Sequence, residues 1–384
     1  MLHHPPSREK TGTRTGKTLA CLLFAAAALM NAQRARPDYD PETKDGLLIQ
    51  HIQQEQDAAE KLRYMEQFAA QYPSHPSIAW VYDQLQPAYL QAKEYDQAMR
   101  VGVLLLAIEP ENLEVATNGL RAAEAKQDRE QTVKWSDRLW QVAAAVAARG
   151  GAGAARAKQA QAYAESCAYA AAMQTIDPKA RLAVLQNLER RNPATPYAKS
   201  LAADYFHIYL QMGDQAKTVE TAEKGLQSDP DNVDMLMALA DHHFHKDTAR
   251  DRELVIAYTG RVVGAVDKAR PAGMSDDEWT RKRFKTLGMA YYMGGMSSSL
   301  NGSFGKADSL LRAALPYLKD NAAEEAATLY HLGMANYRLA ESGSDRNRPV
   351  DALKFMRRCA AMKSPYQQQA QKNVDGIRSE YNLQ

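Results

Sequence analysis

The sequence predicts an all-α fold, a solenoid of stacked antiparallel helix pairs, and three observations lead there. First, Leu62 through Asn112 aligns with Leu182 through Asn232 without a gap at an offset of 120 residues. The fixed points are Leu62/Leu182, Pro73/Pro193, Pro76/Pro196, Tyr89-Leu90-Gln91/Tyr209-Leu210-Gln211, Leu106/Leu226 and Pro110/Pro230. A repeat of that kind marks units that lack a core of their own and bury their faces on neighbours. Second, alanine-rich stretches dominate, and no short alternating segment bracketed by turn residues reads as a strand. Third, 45% hydrophobic residues are too many for a disordered chain, while a mean hydropathy of −0.52 describes a wet surface.

The first residues depart from this pattern. Arg8, Lys10, Arg14 and Lys17 precede an unbroken apolar run from Leu19 to Met30, followed by Asn31-Ala32. That is the order of a bacterial secretory signal. The run is 12 residues long, short of the roughly 20 that span a membrane, which favours a cleaved signal over a retained anchor. Cys21 lies near the start of the run and is badly placed to accept lipid. Loss of residues 1–32 leaves 44 basic against 45 acidic residues, a formal charge of −1. A near-neutral chain has no long-range field for polyphosphates, so nucleic acid is disfavoured as a partner.

Along the rest of the chain, helix signals come in pairs. Ala98, Val101, Leu105 and Ile108 make one apolar stripe at helical spacing. The turns Glu109-Pro110-Glu111-Asn112 and Asp229-Pro230-Asp231-Asn232 stop one helix and start the next. Lys126-Gln127-Asp128 breaks residues 111–148 into a pair, and residues 233–269 form another through Leu236, Leu239 and Ala240. Asp177-Pro178 opens a helix with proline in its first turn. Ser275-Asp276-Asp277-Glu278 is a capping box before Trp279, and Ser364-Pro365 starts a final helix that reads as a polar cap. Pro87, inside a first helix, predicts a kink or a split there. Near the C-terminus Leu287 to Tyr292 matches Leu332 to Tyr337 at an offset of 45. The Ser-, Gly- and Asn-rich segments Gly294–Gly305 and Glu341–Arg348 read as exposed mobile loops inserted between the helices of these two units.

With Tyr209, Gly213-Asp214, Gly225-Leu226 and Pro230 in one unit, and Tyr82, Leu85, Tyr89, Ala98 and Pro110 in another, the chain resembles the tetratricopeptide repeat family. The resemblance covers most of residues 57–362 and implies a right-handed superhelix that binds proteins or peptides on its concave face. The expected domains are a signal peptide (1–32), N-terminal repeats (33–270), a C-terminal pair of repeats (271–363) and a capping helix (364–384).

Chemistry has few candidates. Asp241-His242-His243-Phe244-His245 places His242 and His245 on one helical face, a zinc-like spacing without further ligands. The other reading gives His243 the aromatic packing position and leaves its neighbours in solvent. No metalloprotease helix, nucleophile elbow, phosphate loop or dinucleotide fingerprint occurs. Cys167 and Cys359 are isolated among alanines and read as small apolar packers. No enzyme activity, cofactor or metal is expected.

The resemblance places Lys282, Lys285, Met289 and Tyr292 of one unit, and Tyr330, Met334 and Tyr337 of the next, on the groove. Methionine and tyrosine there give adaptable contact, and lysine adds charge selection. Packing of the same side chains against neighbouring units or the cap is the other reading. The expected function is a non-catalytic scaffold, exported to the periplasm or beyond, that holds a segment of another envelope protein. The alternative is a cell-wall accessory protein whose aromatics stack on glycan.

Overall fold

The computed structural model describes Pro37 and residues 39–268, 270–271, 273–343 and 345–384; the expected signal segment lies outside them. Among the described residues there are seventeen α-helices and no strand. The chain forms two compact units, one ending at Cys167 and one running from Ala168 to Gln384.

The first unit holds α1 (Lys44–Gln54), α2 (Ala58–Gln71), α3 (Ile78–Gln91), α4 (Tyr95–Ile108), α5 (Leu113–Ala125) and α6 (Arg129–Arg149), and the boundary falls within α7 (Ala154–Gln174). The second holds α8 (Pro178–Arg191), α9 (Ala198–Met212), α10 (Gln215–Ser228), α11 (Val233–Lys246), α12 (Ala249–Ala265), α13 (Asp276–Leu300), α14 (Phe304–Ala314), α15 (Ala322–Ser342), α16 (Asn347–Ala360) and α17 (Gln367–Tyr381). From α1 to α6, and again from α8 to α17, each helix packs on the one before and the one after. Short turns join these packed neighbours, so they run antiparallel. Ile49, Ile52, Phe68, Leu85, Leu105, Leu120, Trp135 and Leu139 fill the first core; Leu201, Ile208, Leu236, Val262, Leu311, Leu332 and Met356 are among those that fill the second.

Caps set the helix starts. Asp57 and Asp177 accept backbone N–H groups at the heads of α2 and α8, and Asn112 and Asn232 do so at α5 and α11. Pro178 stands at the first position of α8, and the Ser275–Glu278 capping box opens α13, both as expected. The 120-residue repeat outlasts the sequence match. Ala58/Pro178, Tyr95/Gln215, Leu113/Val233 and Arg129/Ala249 begin corresponding helices, so the copies extend through α6 and α12.

Three expectations fail at particular residues. Pro87 does not split its helix, because α3 runs unbroken past it. The lost backbone hydrogen bond, a matter of about 3 kcal/mol in an exposed helix, is outweighed by burial of Val81, Tyr82, Leu85 and Tyr89 around it. Gly294 to Leu300 is not a loop but two further turns of α13, and Gly294 through Ser299 is buried. The glycines are there for close approach. A Cβ on Gly294 would lie 2.6 Å from the Thr259 hydroxyl, and one on Gly295 2.6 Å from Leu311. Ser298 turns its hydroxyl back to the Gly294 carbonyl at 2.7 Å, which satisfies it inside the helix. In the second segment only the ends are helical, Glu341 and Ser342 in α15 and Asn347 and Arg348 in α16, and Gly343 with residues 345–346 remains an exposed turn as expected. Ile108 leaves the apolar stripe for solvent at the end of α4, while Ala98, Val101 and Leu105 are buried.

Candidate partner-binding face

The seven residues expected on the groove separate into two sets. On α13, Lys282 is already answered: its Nζ lies 2.8 Å from the Asp234 carboxylate on α11. Both line a cleft of about 360 Å³ with Trp279, Asp229 and Asp231. Lys285, one turn on, is exposed and has no ion-pair partner among the described residues. Met289 follows, 37% exposed. Tyr292 sits half-buried, its ring 6.0 Å from that of Phe244 on α11. Burial, with the nearby Glu324 carboxylate and Tyr366, pushes the Tyr292 phenol up to about 12.

The residues on α15 are covered by the chain itself. Tyr330 stacks on Tyr366 at 4.9 Å between ring centroids. Asn373 on α17 donates to the Met334 sulfur at 3.4 Å. Tyr337 donates to Glu380 at 2.9 Å, and its ring meets that of Tyr381 edge-on. That hydrogen bond, more than burial, pushes the Tyr337 phenol up to about 12. The structure thus leaves Lys285 and Met289 open and places Tyr330, Met334 and Tyr337 under the last helix.

The histidine run is divided rather than convergent. His243 takes the interior position: its Nδ1 is 2.7 Å from Asp251, and its ring stacks on Tyr258. Hydrogen bonds from Thr248 and then His243 hold the Asp251 carboxyl at about 2. His242 meets Gln215, and exposed His245 turns to the backbone carbonyl of Asp241. No group of three or more His, Cys, Asp or Glu among the described residues is placed to hold a metal ion. Cys167 and Cys359 are both buried thiols within apolar clusters.

A second charged cluster escapes the sequence altogether. Buried Asn336 on α15 donates to Asp308 on α14 at 2.7 Å. Arg312 reaches Asp308 at 2.7 Å and Asp351 at 2.6 Å, and Arg348 reaches Asp308 at 2.8 Å. Burial pushes the Asp308 carboxyl up, but the hydrogen bonds from Asn336, Arg348 and Arg312 prevail and hold it below the usual range. Asn336 stands where Tyr291 stands in the preceding unit, so this network fills a position that an aromatic ring fills elsewhere. Asn336 and both Asp308 oxygens are engaged within it, which suits a structural role.

An exposed apolar run was also missed. Val103, Leu104 and Ile108 on α4 are 43%, 43% and 49% exposed, with Ala107 open between them. In the other copy the same positions are Glu223, Lys224, Ser228 and Gln227. The signal was available in the alignment of the two copies, read for differences instead of matches.

No protein-family model and no curated protein matches this sequence. Solved structures are similar at low identity. A crystal structure of the APC/C hetero-tetramer Cut9–Hcn1 matches 87% of this chain at 12% identity and a TM-score of 0.31, and this chain spans 54% of that one. A tetratricopeptide repeat protein from Parabacteroides merdae matches 76% of the chain and 98% of its own length, at 10% identity and a TM-score of 0.26. The P58(IPK) TPR domain matches 87% of this chain and 96% of its own, at 12% identity and a TM-score of 0.26. By its own helices and their packing, this chain is an all-α solenoid of antiparallel helix pairs within each unit.

Proposed function

We propose that this chain is a non-catalytic scaffold of the bacterial cell envelope that grips a segment of another envelope protein. The contact lies on α13, where Lys285 and Met289 present an unpaired cation beside a polarisable apolar side chain. Tyr292 and Phe244 back them, and Lys282 borders the site with its charge already spent on Asp234. That open pair on a face shared by successive helices is the observation that carries the reading. It suits a peptide carrying a carboxylate next to an apolar residue. Export rests on the order of residues 1–32. The α4 strip supports a second contact on the first unit, because its counterpart is polar and the same helix frame is built without it.

A photo-crosslinking side chain at position 289, compared in cells with one at exposed Asp375 on α17, tests this. Capture of one protein at 289 but not at 375 is the expected result. Crosslinks to glycan alone would replace the protein reading with the polysaccharide one. Equal, unselective capture at both positions would end both. N-terminal sequencing of the protein from fractionated cells checks export, and intact Met1 in the cytoplasm overturns it.

A further inference from the structure

The helix that covers the α15 face is held at its start by three rings. His331 on α15 is partly buried, with its Nδ1 3.0 Å from the Ser299 hydroxyl on α13. Its ring stands edge-on to Tyr330 at 5.6 Å and to Tyr366 at 6.2 Å, and those two tyrosines stack on one another. Tyr366 immediately precedes α17. From there α17 lays Ala370, Val374 and Ile377 onto the core, and its Asn373 and Glu380 reach Met334 and Tyr337. Its remaining side is polar and open. A last helix docked along one side has the lowest local opening cost in such a stack.

The groups that face His331 leave no place for a proton's charge. Tyr330 on its own helix and Tyr366 ahead of α17 are neutral phenols, and α13 brings the Ser299 hydroxyl. The charged groups that α14 and α16 bring against α15 are committed elsewhere: Asp308, Arg312 and Arg348 to Asn336, and Arg358 to Glu325. An imidazolium in the ring cluster would be buried and unpaired.

We propose that α17 is an acid-released cover over the α15 face, with His331 as its latch. The imidazole is neutral while the cover is closed and regains water when Tyr366 lifts away. Burial alone lowers the closed-state value to about 4 from 6.5. The open state therefore binds the proton first. Below the ordinary value opening gains about tenfold for each pH unit, and the gain levels off near the closed-state value. Release uncovers Tyr330, Met334 and Tyr337. Their use by a partner rests on the reading above, whereas the release itself does not, and it is measured without a partner.

The test is hydrogen exchange on the full chain at pH 7.0 and 5.5, corrected for intrinsic exchange rates. Opening of residues 367–381 should rise about tenfold at the lower pH, with residues 78–108 unchanged. His331→Phe, which keeps a ring in the cluster, should remove the difference. Equal protection of α17 at both pH values overturns the proposal, as does a tenfold rise that survives in His331→Phe. Should that variant fold poorly, NMR titration of His331 in the unaltered chain decides: a value well below the ordinary range supports the latch, and an ordinary value sinks it.

Discussion

The segment from α2 to α6 and the segment from α8 to α12 are two solutions to one packing problem. Their helices begin at matching positions, and their turns bend alike. Lys93 and Gly213 both take a left-handed conformation, with φ of 62° and 70°. Inside, the large and small residues trade places. In the first copy a Cβ on Gly119 would lie 2.1 Å from the Trp135 ring, and Gly102 makes room for Gln86. The second copy has Leu239 and Val255 at the first pair of positions and Ala222 and Phe206 at the second. Elsewhere the exchange runs the other way, with Leu105 and Val115 in the first copy and Gly225 under Met235 in the second. Caps, prolines and turn conformations fix the frame; at the Trp135 position the summed volume is nearly kept by Leu239 and Val255, while the other two pairs grow or shrink between copies, so no single core residue is required.

The comparison can be broken at Trp135. Trp135→Val alone should cost about 3 kcal/mol by leaving a cavity, and Gly119→Leu alone about 1–3 kcal/mol by overpacking. Together they recreate the pair of the second copy and should recover more than half of the summed loss. Denaturation followed by a probe in the first unit measures it; strict additivity would mean that the copies do not share a packing rule. In the C-terminal pair, where Asn336 replaces Tyr291, Asp308→Ala should cost about 1–2 kcal/mol, since it takes one partner from buried Asn336 and from two half-exposed arginines while Arg312 keeps Asp351. Because the Asp308 carboxyl is held below the usual range, its contribution is in place above about pH 4. It is lost as pH falls through the folded value. The variant should thus lose stability at neutral pH and match the parent in strong acid.

Equal and smaller effects sharpen the same contrast. Leu226 is only half-buried where Leu106 is buried, so Leu226→Ala should cost about 1–2 kcal/mol, below the usual range for a buried leucine. Local hydrogen exchange should rise in α10 to α12 and not near residue 330. Lys93→Gly, which copies Gly213, should add about 0.5–1 kcal/mol by relieving left-handed backbone. Smallest of all, Val103→Glu with Leu104→Lys should move stability by less than about 0.5 kcal/mol. If partner capture by the first unit also stays unchanged, the α4 strip is not a contact.

What the sequence made legible follows from what is local. Asp177-Pro178, Ser275 to Glu278 and the Pro110 and Pro230 turns act within a few residues, and they specify helix ends wherever they occur. Gly294 to Leu300 misleads because serine and glycine favour loops only when nothing approaches; here Thr259 and Leu311 press against the glycines, and neither is near in sequence. Met289 and Met334 hold the same place in the two units, yet Asn373 of α17 meets Met334 while Met289 stays open to solvent. The Asp308 network depends on partners spread from residue 308 to residue 351, at no spacing that a motif could record.

The two buried thiols give this molecule an unusual relation to oxidants. Oxidation and alkylation attack the thiolate, and burial pushes the Cys359 thiol up to about 11 and the Cys167 thiol up as well. Neither side chain reaches solvent in the folded chain. Folded protein could pass through an oxidising compartment without cross-linking or sulfenic acid, while a misfolded copy would be trapped by its first disulfide. Each cysteine therefore works as a clock: the rate at which Cys359 takes up a thiol reagent times the opening of α16, and that of Cys167 times the opening of α7.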